Sequence, residues 1–257
     1  VSAVHATTPN LPAQTTPALT AGAPRGLLIL TVVTALAVLI GLYLALWWVG
    51  PDPDQGEVQR LFYIHMPSFF GAFTAFGAAV VAGVQYLRTR HPRWDALGVS
   101  GVEVGLALSL VNLLTGSVWA RPIWNTWWTW DPRLTSAAIM CLTYAAYLML
   151  RGAIENPDLR RRFSAIYAII AISTVILTLV IIRIRPDTIH PVVVGASPQN
   201  AEGTFEATRS TAIALLPNLA IWGVLVPWAL MWWRVRLQSL IEFVAARKAA
   251  LLEKTEG

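Results

Sequence analysis

The sequence predicts an all-α integral membrane protein: a bundle of six transmembrane helices with functional loops on its outer side. Three observations carry this. Of the 257 residues, 56% are hydrophobic and only 13% are charged, about half the charged share of a soluble domain. Six segments are long and apolar enough to cross a bilayer, which takes about 20 residues. The basic residues alternate between sparse and dense from one connection to the next, the pattern that orients membrane helices.

Taken in order, residues 1–25 are rich in Pro, Thr and Ala and read as a disordered tail. They have neither the basic start nor the apolar centre of a secretory signal. Spans are predicted at 26–49, 67–87, 97–118, 134–151, 163–183 and 211–233, the fourth being the shortest. No internal repeat is visible. One set of flanks holds Arg25, Arg88, Arg90, Arg93, Arg151, Arg160, Arg161, Arg162, Arg234, Arg236, Arg247, Lys248 and Lys254, which is 13 of the 19 basic residues. The other set holds Arg60, Arg121, Arg133, Arg183, Arg185 and Arg209. The richer set is predicted to be cytoplasmic, so both termini face inward and three loops, 50–66, 119–133 and 184–210, face outward. Residues 26–233 then form the membrane domain. Residues 234–257 alternate basic and apolar groups and predict a cytoplasmic amphipathic tail on the inner surface.

The net charge of +5 does not argue for nucleic acid, because the arginines sit in short loops between apolar runs. Cys141 is the sole cysteine. Intrachain disulfides and dithiol redox chemistry are therefore excluded, as is a Cys-x-x-Cys-His haem attachment site.

The loop 119–133 holds five tryptophans: Trp119, Trp124, Trp127, Trp128 and Trp130. Tryptophan commonly anchors helices at the membrane interface, and Trp47, Trp48, Trp232 and Trp233 fit that use. Such belts need one or two residues per helix end. Five in one loop predict a broad flat surface for a planar ligand or a partner. Asp131-Pro132 has the form of a helix start, an N-cap acceptor followed by proline.

His5 falls in the tail and His91 in an inner loop, whereas His65 and His190 fall in the two outer loops that flank the tryptophans. Imidazole is a common haem-iron ligand. The pair is thus a candidate set of axial ligands; the plainer account is two separate interfacial histidines. Arg121, Arg133, Arg183 and Arg185 are outer cations suited to carboxylates such as haem propionates, or to lipid phosphates. Glu103 is an acid inside a span, a costly placement with no role assigned by sequence. Arg151 and Glu155, one helical turn apart, are placed to pair.

The stretch Pro122-Ile-Trp124-Asn-Thr-Trp127-Trp128-Thr-Trp130-Asp131-Pro-Arg133-Leu-Thr135 resembles the tryptophan-rich WWD signature of the haem-handling proteins of cytochrome c biogenesis. Gly56-Glu-Val-Gln-Arg60-Leu-Phe-Tyr63-Ile-His65-Met-Pro67 is similar to that family's first outer-loop histidine motif, and Thr188-Ile-His190-Pro191 occupies the place of its second. Six spans in a short chain point to the CcmC branch, and the resemblance covers roughly residues 27–235. It implies a bacterial inner-membrane protein that holds haem b without a covalent link at the outer face. His65 and His190 are then the axial ligands of the iron. Trp119, Trp124, Trp127, Trp128, Trp130 and Asp131 form the platform over the macrocycle, with Arg121 and Arg133 beside it. The implied partners are a membrane-anchored haem chaperone, which receives the haem, and the subunits of an ABC-type transporter of the maturation system. The sequence departs from the pattern at Asn125, where the family usually has glycine, at Pro132, and in the segment Arg183–His190, which lacks the family's upstream tryptophans.

The resemblance implies a haem-binding and transfer protein, not an enzyme with its own turnover, unless promotion of the haem–chaperone bond counts as one. A membrane cytochrome b that transfers electrons is the first alternative; with no histidine predicted inside a span, the sequence speaks against it. A haem-conducting transporter is the second. Beyond Glu103, Asn112 and scattered Ser and Thr, the spans offer little to line such a path.

Overall fold

The computed structural model describes residues 22–185, 187–191 and 208–256. Most of the predicted tail and much of the third outer loop lie outside the described residues. Among those described there is no strand beyond an isolated bridge between Asp52 and Gly56, and six helices are long and apolar enough to cross a membrane. The chain is an all-α membrane bundle.

Helix α1 spans Arg25–Tyr43 and ends in a wider π-helical turn, Leu44–Trp48. A 3-10 turn at Glu57–Leu61 leads into α2, Phe62–Thr89. Helices α3, Pro92–Trp124, α4, Pro132–Ala153, and α5, Pro157–Ile184, follow. The sixth crossing is continuous: α6, Arg209–Ala220, a π turn at Ile221–Leu225, and α7, Val226–Glu256. The segment predicted as a separate amphipathic tail continues this helix without a break.

The starts follow from local chemistry. Each of α3, α4 and α5 has proline at its first position, where a missing N–H costs nothing. His91, Asp131 and Asn156 precede them and accept hydrogen bonds from the free backbone N–H groups of the first turn. In the sixth crossing, Pro227 cannot bond back to the Gly223 carbonyl. That carbonyl instead accepts from the Thr74 hydroxyl of α2 at 2.7 Å, which fastens the crossing to the bundle.

Helices α2 and α3 form the centre, and small residues let them approach closely. A Cβ on Gly101 would stand 2.5 Å from the Ala75 carbonyl, and one on Gly105 would meet the Phe76 ring. Phe76 in turn stacks on Tyr144 of α4 at 3.5 Å.

The residues predicted to be cytoplasmic come together at one end. There Asp95 makes a two-pronged bond with Arg151, at 2.6 and 2.7 Å, with Arg161 at 3.9 Å. Glu103 pairs with Arg234, which explains an acid inside a span. Arg151 is therefore partnered by Asp95 of α3 and not, as its spacing suggested, by Glu155. Both members of the Asp95–Arg151 pair are largely buried, and stripping one partner from such a pair costs about 3–5 kcal/mol. Asp95→Ala is expected to lower the thermal midpoint of the detergent-solubilised protein markedly, whereas Glu155→Ala leaves it unchanged.

Candidate haem site

At the opposite end lies a cavity of about 300 Å³, at the lower end of the range for ligand pockets. Its walls come from the 52–59 stretch before α2, from α2, α3, the 125–131 connection, α4, α5 and the segment after α5. His65 and His190 both line it, as do Trp119, Trp124, Trp127, Trp128, Arg133 and Arg183.

His65 is not in a loop. The helix begins at Phe62, so His65 sits in the first turn of α2, because proline near a helix start removes few backbone bonds and Pro67 does not delay the helix. Its Nδ1 donates to the Asn112 carbonyl of α3 at 2.9 Å. The Asn112 amide donates to the His65 carbonyl at 2.8 Å, so the two residues clasp each other across the helix pair. Beneath the ring lies Gly116, where an added Cβ would stand 2.8 Å from Cε1.

His190 follows α5 and donates from Nδ1 to the Pro191 carbonyl at 2.9 Å. With Nδ1 of both rings engaged, Nε2 of each carries the lone pair a metal needs. The ring centres are 6.5 Å apart and the planes tilt by 34°. Metal–imidazole bonds of about 2 Å put the centres of two trans imidazoles roughly 6 Å apart. Burial and the nearby Arg133 guanidinium push the His190 imidazole down to about 4 from its ordinary 6.5. A depressed value means the folded state keeps the ring neutral. Stability from this group is full above about pH 6.5 and is lost as pH falls through about 4. Ligand binding that needs a neutral His190 is therefore expected to stay level in titrations down to about pH 5, and a midpoint near 6.5 would show an unperturbed ring.

Each imidazole has a tryptophan against it: Trp119 at 5.8 Å from His65 and Trp124 at 6.0 Å from His190. Both belong to α3, which runs six residues past the predicted span and ends where Asn125 adopts the left-handed conformation, φ 53°. Asparagine is the side chain that best tolerates that geometry after glycine. This accounts for Asn125 where the motif usually has glycine. Trp124 and Trp128 hold buried indole N–H groups with no acceptor among the described residues, a donor arrangement that suits a ligand bearing carboxylates. The Arg133 guanidinium lies over the Phe69 ring at 5.4 Å and donates to the Thr178 carbonyl.

Three of the predicted site residues do not line the cavity. Trp130 is 76% exposed and packs edge-on against Trp128. Asp131 caps α4, accepting from the N–H groups of Arg133 and Leu134, and so acts through the helix that carries Arg133. Arg121 donates to Asn125 and closes the end of α3. Arg185, outside the cavity, pairs with exposed Asp187.

Sequence reasoning missed Asn112 and Gly116 as parts of the site, since a glycine or an amide within an apolar span gives no periodic signal. Gly116→Ala is expected to displace the His65 ring and to lower ligand retention several-fold while the melting profile is kept, because the clash is with a movable side chain. Paired binding and thermal-shift measurements check this.

Among the described residues no group of three or more His, Cys, Asp and Glu side chains converges on one point. Two opposed imidazoles in a flat aromatic cavity suit a metal that brings its own equatorial donors, as haem iron does.

Known proteins share much of this sequence. The profile described as "Heme exporter protein C" matches residues 13–185, about two thirds of the chain. The match includes His65 and the whole tryptophan segment and stops before His190. The Heme exporter protein C of Rhodobacter capsulatus is 35% identical over 125 residues, 49% of this chain and 52% of its own length. That of Bradyrhizobium diazoefficiens is 33% identical over 142 residues, 55% and 53%. That of Paracoccus denitrificans is 36% identical over 107 residues, 42% and 44%. The alignments span about half the length of these curated relatives. Matched over two thirds of its length by the family profile, with six membrane-spanning helices, the chain belongs to the CcmC, or haem exporter protein C, family.

Proposed function

We propose that this protein binds haem b non-covalently at the outer face of the bacterial inner membrane and hands it to a membrane-anchored haem chaperone during cytochrome c maturation. His65 and His190 serve as the axial ligands of the iron. Trp119, Trp124, Trp127 and Trp128 cover the macrocycle, and Trp130 and Asp131 complete the loop that carries them. Arg133, with the indole N–H groups of Trp124 and Trp128, meets the propionates; Arg121 secures the loop from the side. The other subunits of the maturation system's ABC-type transporter act beside it. One observation carries this reading: two imidazoles 6.5 Å apart, both with Nδ1 engaged, in an aromatic cavity.

The relatives' name, Heme exporter protein C, supports haem as cargo. The basic residues support an outward-facing site, since 13 of 19 lie at the far end or on the tails. Two axial histidines leave the iron coordinatively full, which suits holding and transfer better than oxygen chemistry. The test is transfer itself. Haem-loaded protein is mixed with the haem-free chaperone, and the haem is followed by its absorption. Passage to the chaperone is expected. Haem that stays in place and is instead reduced and reoxidised by quinol would replace this reading with an electron-transferring cytochrome b. A reporter fused after Gly257, active only outside the cytoplasm, is expected to be silent; activity there would reverse the sidedness.

A further inference from the structure

Among the described residues four tryptophans line the cavity, and their indole N–H groups are not used alike. Those of Trp124 and Trp128 are buried and meet no acceptor among the described residues. That of Trp119 is committed: it donates to the Gln55 side-chain oxygen at 2.9 Å. An indole N–H only donates, so the oxygen of the Gln55 amide, not its nitrogen, must face it. Gln55 itself lines the cavity, from the turn before α2. Asp52 and Gly56 close that turn by exchanging backbone hydrogen bonds at 3.1 and 2.9 Å. The Asp52 carboxylate accepts from the N–H groups of Asp54 and Gln55 at 3.0 and 2.9 Å, the local bonding that suits aspartate to turns. Gly56 adopts φ 61° and ψ −140°, a conformation left to glycine. Just beyond it, Arg60 pairs with Glu57 at 2.8 Å and donates to the Leu46 carbonyl at the end of the first crossing. The Gln55 oxygen is thus delivered from a backbone held on both sides.

Trp119 and Gly116 are three residues apart and share one face of α3. That face is turned to His65. An added Cβ on Gly116 would meet the imidazole, and the Trp119 ring stands edge-on to it, with 5.8 Å between centres and 72° between planes. Phe62 stands edge-on to Trp119 at 5.7 Å. Ring contacts of this kind keep an indole in place but leave it two ways to lie, because the torsion that turns an aromatic ring has two broad minima. The two differ in where the N–H points. One directs it to Gln55, and the other directs it away. The hydrogen bond selects the first.

We propose that Gln55 is a positioning residue of the haem site: it fixes the plane of Trp119 against His65 and withholds that N–H from the ligand, so that Trp119 gives the macrocycle apolar cover and the carboxylates are left to Trp124 and Trp128. The proposal rests on the reading of the cavity as a haem site. Gln55 acts through the indole alone. An N–H that loses its partner inside a closed site seeks another acceptor, and a carboxylate is the strongest kind on offer. Without Gln55, Trp119 therefore turns from His65 and competes with Trp124 and Trp128 for the propionates.

The experiment uses the full-length protein in detergent, with and without haem. Gln55→Met keeps the length of the side chain and removes the acceptor, whereas Gln55→Glu keeps an acceptor. In the haem-free protein the indole nitrogens are isotope-labelled and hydrogen exchange of the Trp119 N–H is followed by NMR, its signal being the one lost in Trp119→Phe. Exchange is expected to be about tenfold faster in Gln55→Met and to stay slow in Gln55→Glu. In the loaded protein, Gln55→Met is expected to lose haem about tenfold faster and to shift the largest g value of the low-spin ferric signal, which follows the setting of the axial rings. Gln55→Glu is expected to match the parent in both. Added to Trp119→Phe, which has no N–H to hold, Gln55→Met is expected to change nothing further. A role confined to folding the turn would act equally in both backgrounds, and that result would overturn the proposal, as would fast exchange in the parent. Haem dimethyl ester, which has no free carboxylate, checks the division of roles. Trp124→Phe and Trp128→Phe are expected to weaken retention of haem but not of the ester, and Trp119→Phe to weaken both alike; the reverse pattern would overturn that division. If the parent's spectrum lacks two axial nitrogen ligands, the haem-site reading itself fails and the proposal fails with it. If the spectrum is as expected and the two substitutions act independently, the haem reading stands and the role of Gln55 alone is wrong.

Discussion

Replacing both His65 and His190 with alanine is expected to abolish haem retention, with less than a few per cent of the parent's haem surviving purification. The two rings are the histidines that line the cavity and the proposed ligands of the iron, while the tryptophans and Arg133 offer apolar cover and N–H donors for carboxylates. Both side chains line the cavity, so the double variant should insert and elute as the parent does. His91→Ala is the matched control. It sits at the opposite end, capping α3 through its Nδ1, and its loss should leave the haem spectrum unaltered. Haem content in the double variant equal to the parent's would remove the ligand assignment.

Gly71→Ala is expected to have the largest effect on folding of any single methyl group added to this chain. A Cβ at Gly71 points into the backbone carbonyl of Trp222, in the π turn of the sixth crossing, and the Leu108 side chain lies 3.0 Å away on its other side. A backbone carbonyl cannot rotate aside as a side chain can. Overpacking of well-filled cores costs about 1–3 kcal/mol and more where nothing yields. We expect at least the upper end here, seen as poor yield and a thermal midpoint many degrees lower. Gly77→Ala, on the same helix with nothing within 4 Å of the added carbon, is expected to be neutral or slightly stabilising. Equal behaviour of the two variants would show that α2 and the sixth crossing are not packed as described.

The crossings were legible because lipid imposes a simple requirement: a run of apolar residues long enough to span it. All six were found. What hydropathy cannot report is where a helix stops once it has left the lipid. Trp119, Arg121 and Trp124 were placed in a loop because polar and aromatic residues end an apolar run, yet helical hydrogen bonding persists to Asn125, the first residue with the left-handed geometry that ends α3. His65 falls in the predicted outer loop, since the predicted span starts at 67, yet the helix already begins at Phe62. The expectation that no histidine lies inside a span is thereby corrected: His65 falls within the second membrane-spanning helix. Asp131 as a cap was legible, since capping is a local matter of adjacent residues. The pairing of Glu103 with Arg234 and the clasp of Asn112 on His65 were not, because they join positions 131 and 47 apart in the chain. Asn112 and Gly116 carry no sign of their importance until α2 is laid against α3.

The unbroken course of α3 has a mechanical consequence. One continuous helix of 33 residues, about 50 Å long, carries Asp95 and Glu103 towards one end, Asn112 and Gly116 further along, and Trp119 and Trp124 at the other. A tilt of about 2° pivoting at the Asp95 end swings the tryptophan end by roughly 1.5 Å, comparable to the slack that separates a close aromatic contact from a broken one. The rod is thus a lever across the bilayer. Force applied where Arg151 and Arg234 grip it arrives, without any loop having to move, at the two indoles that face the imidazoles.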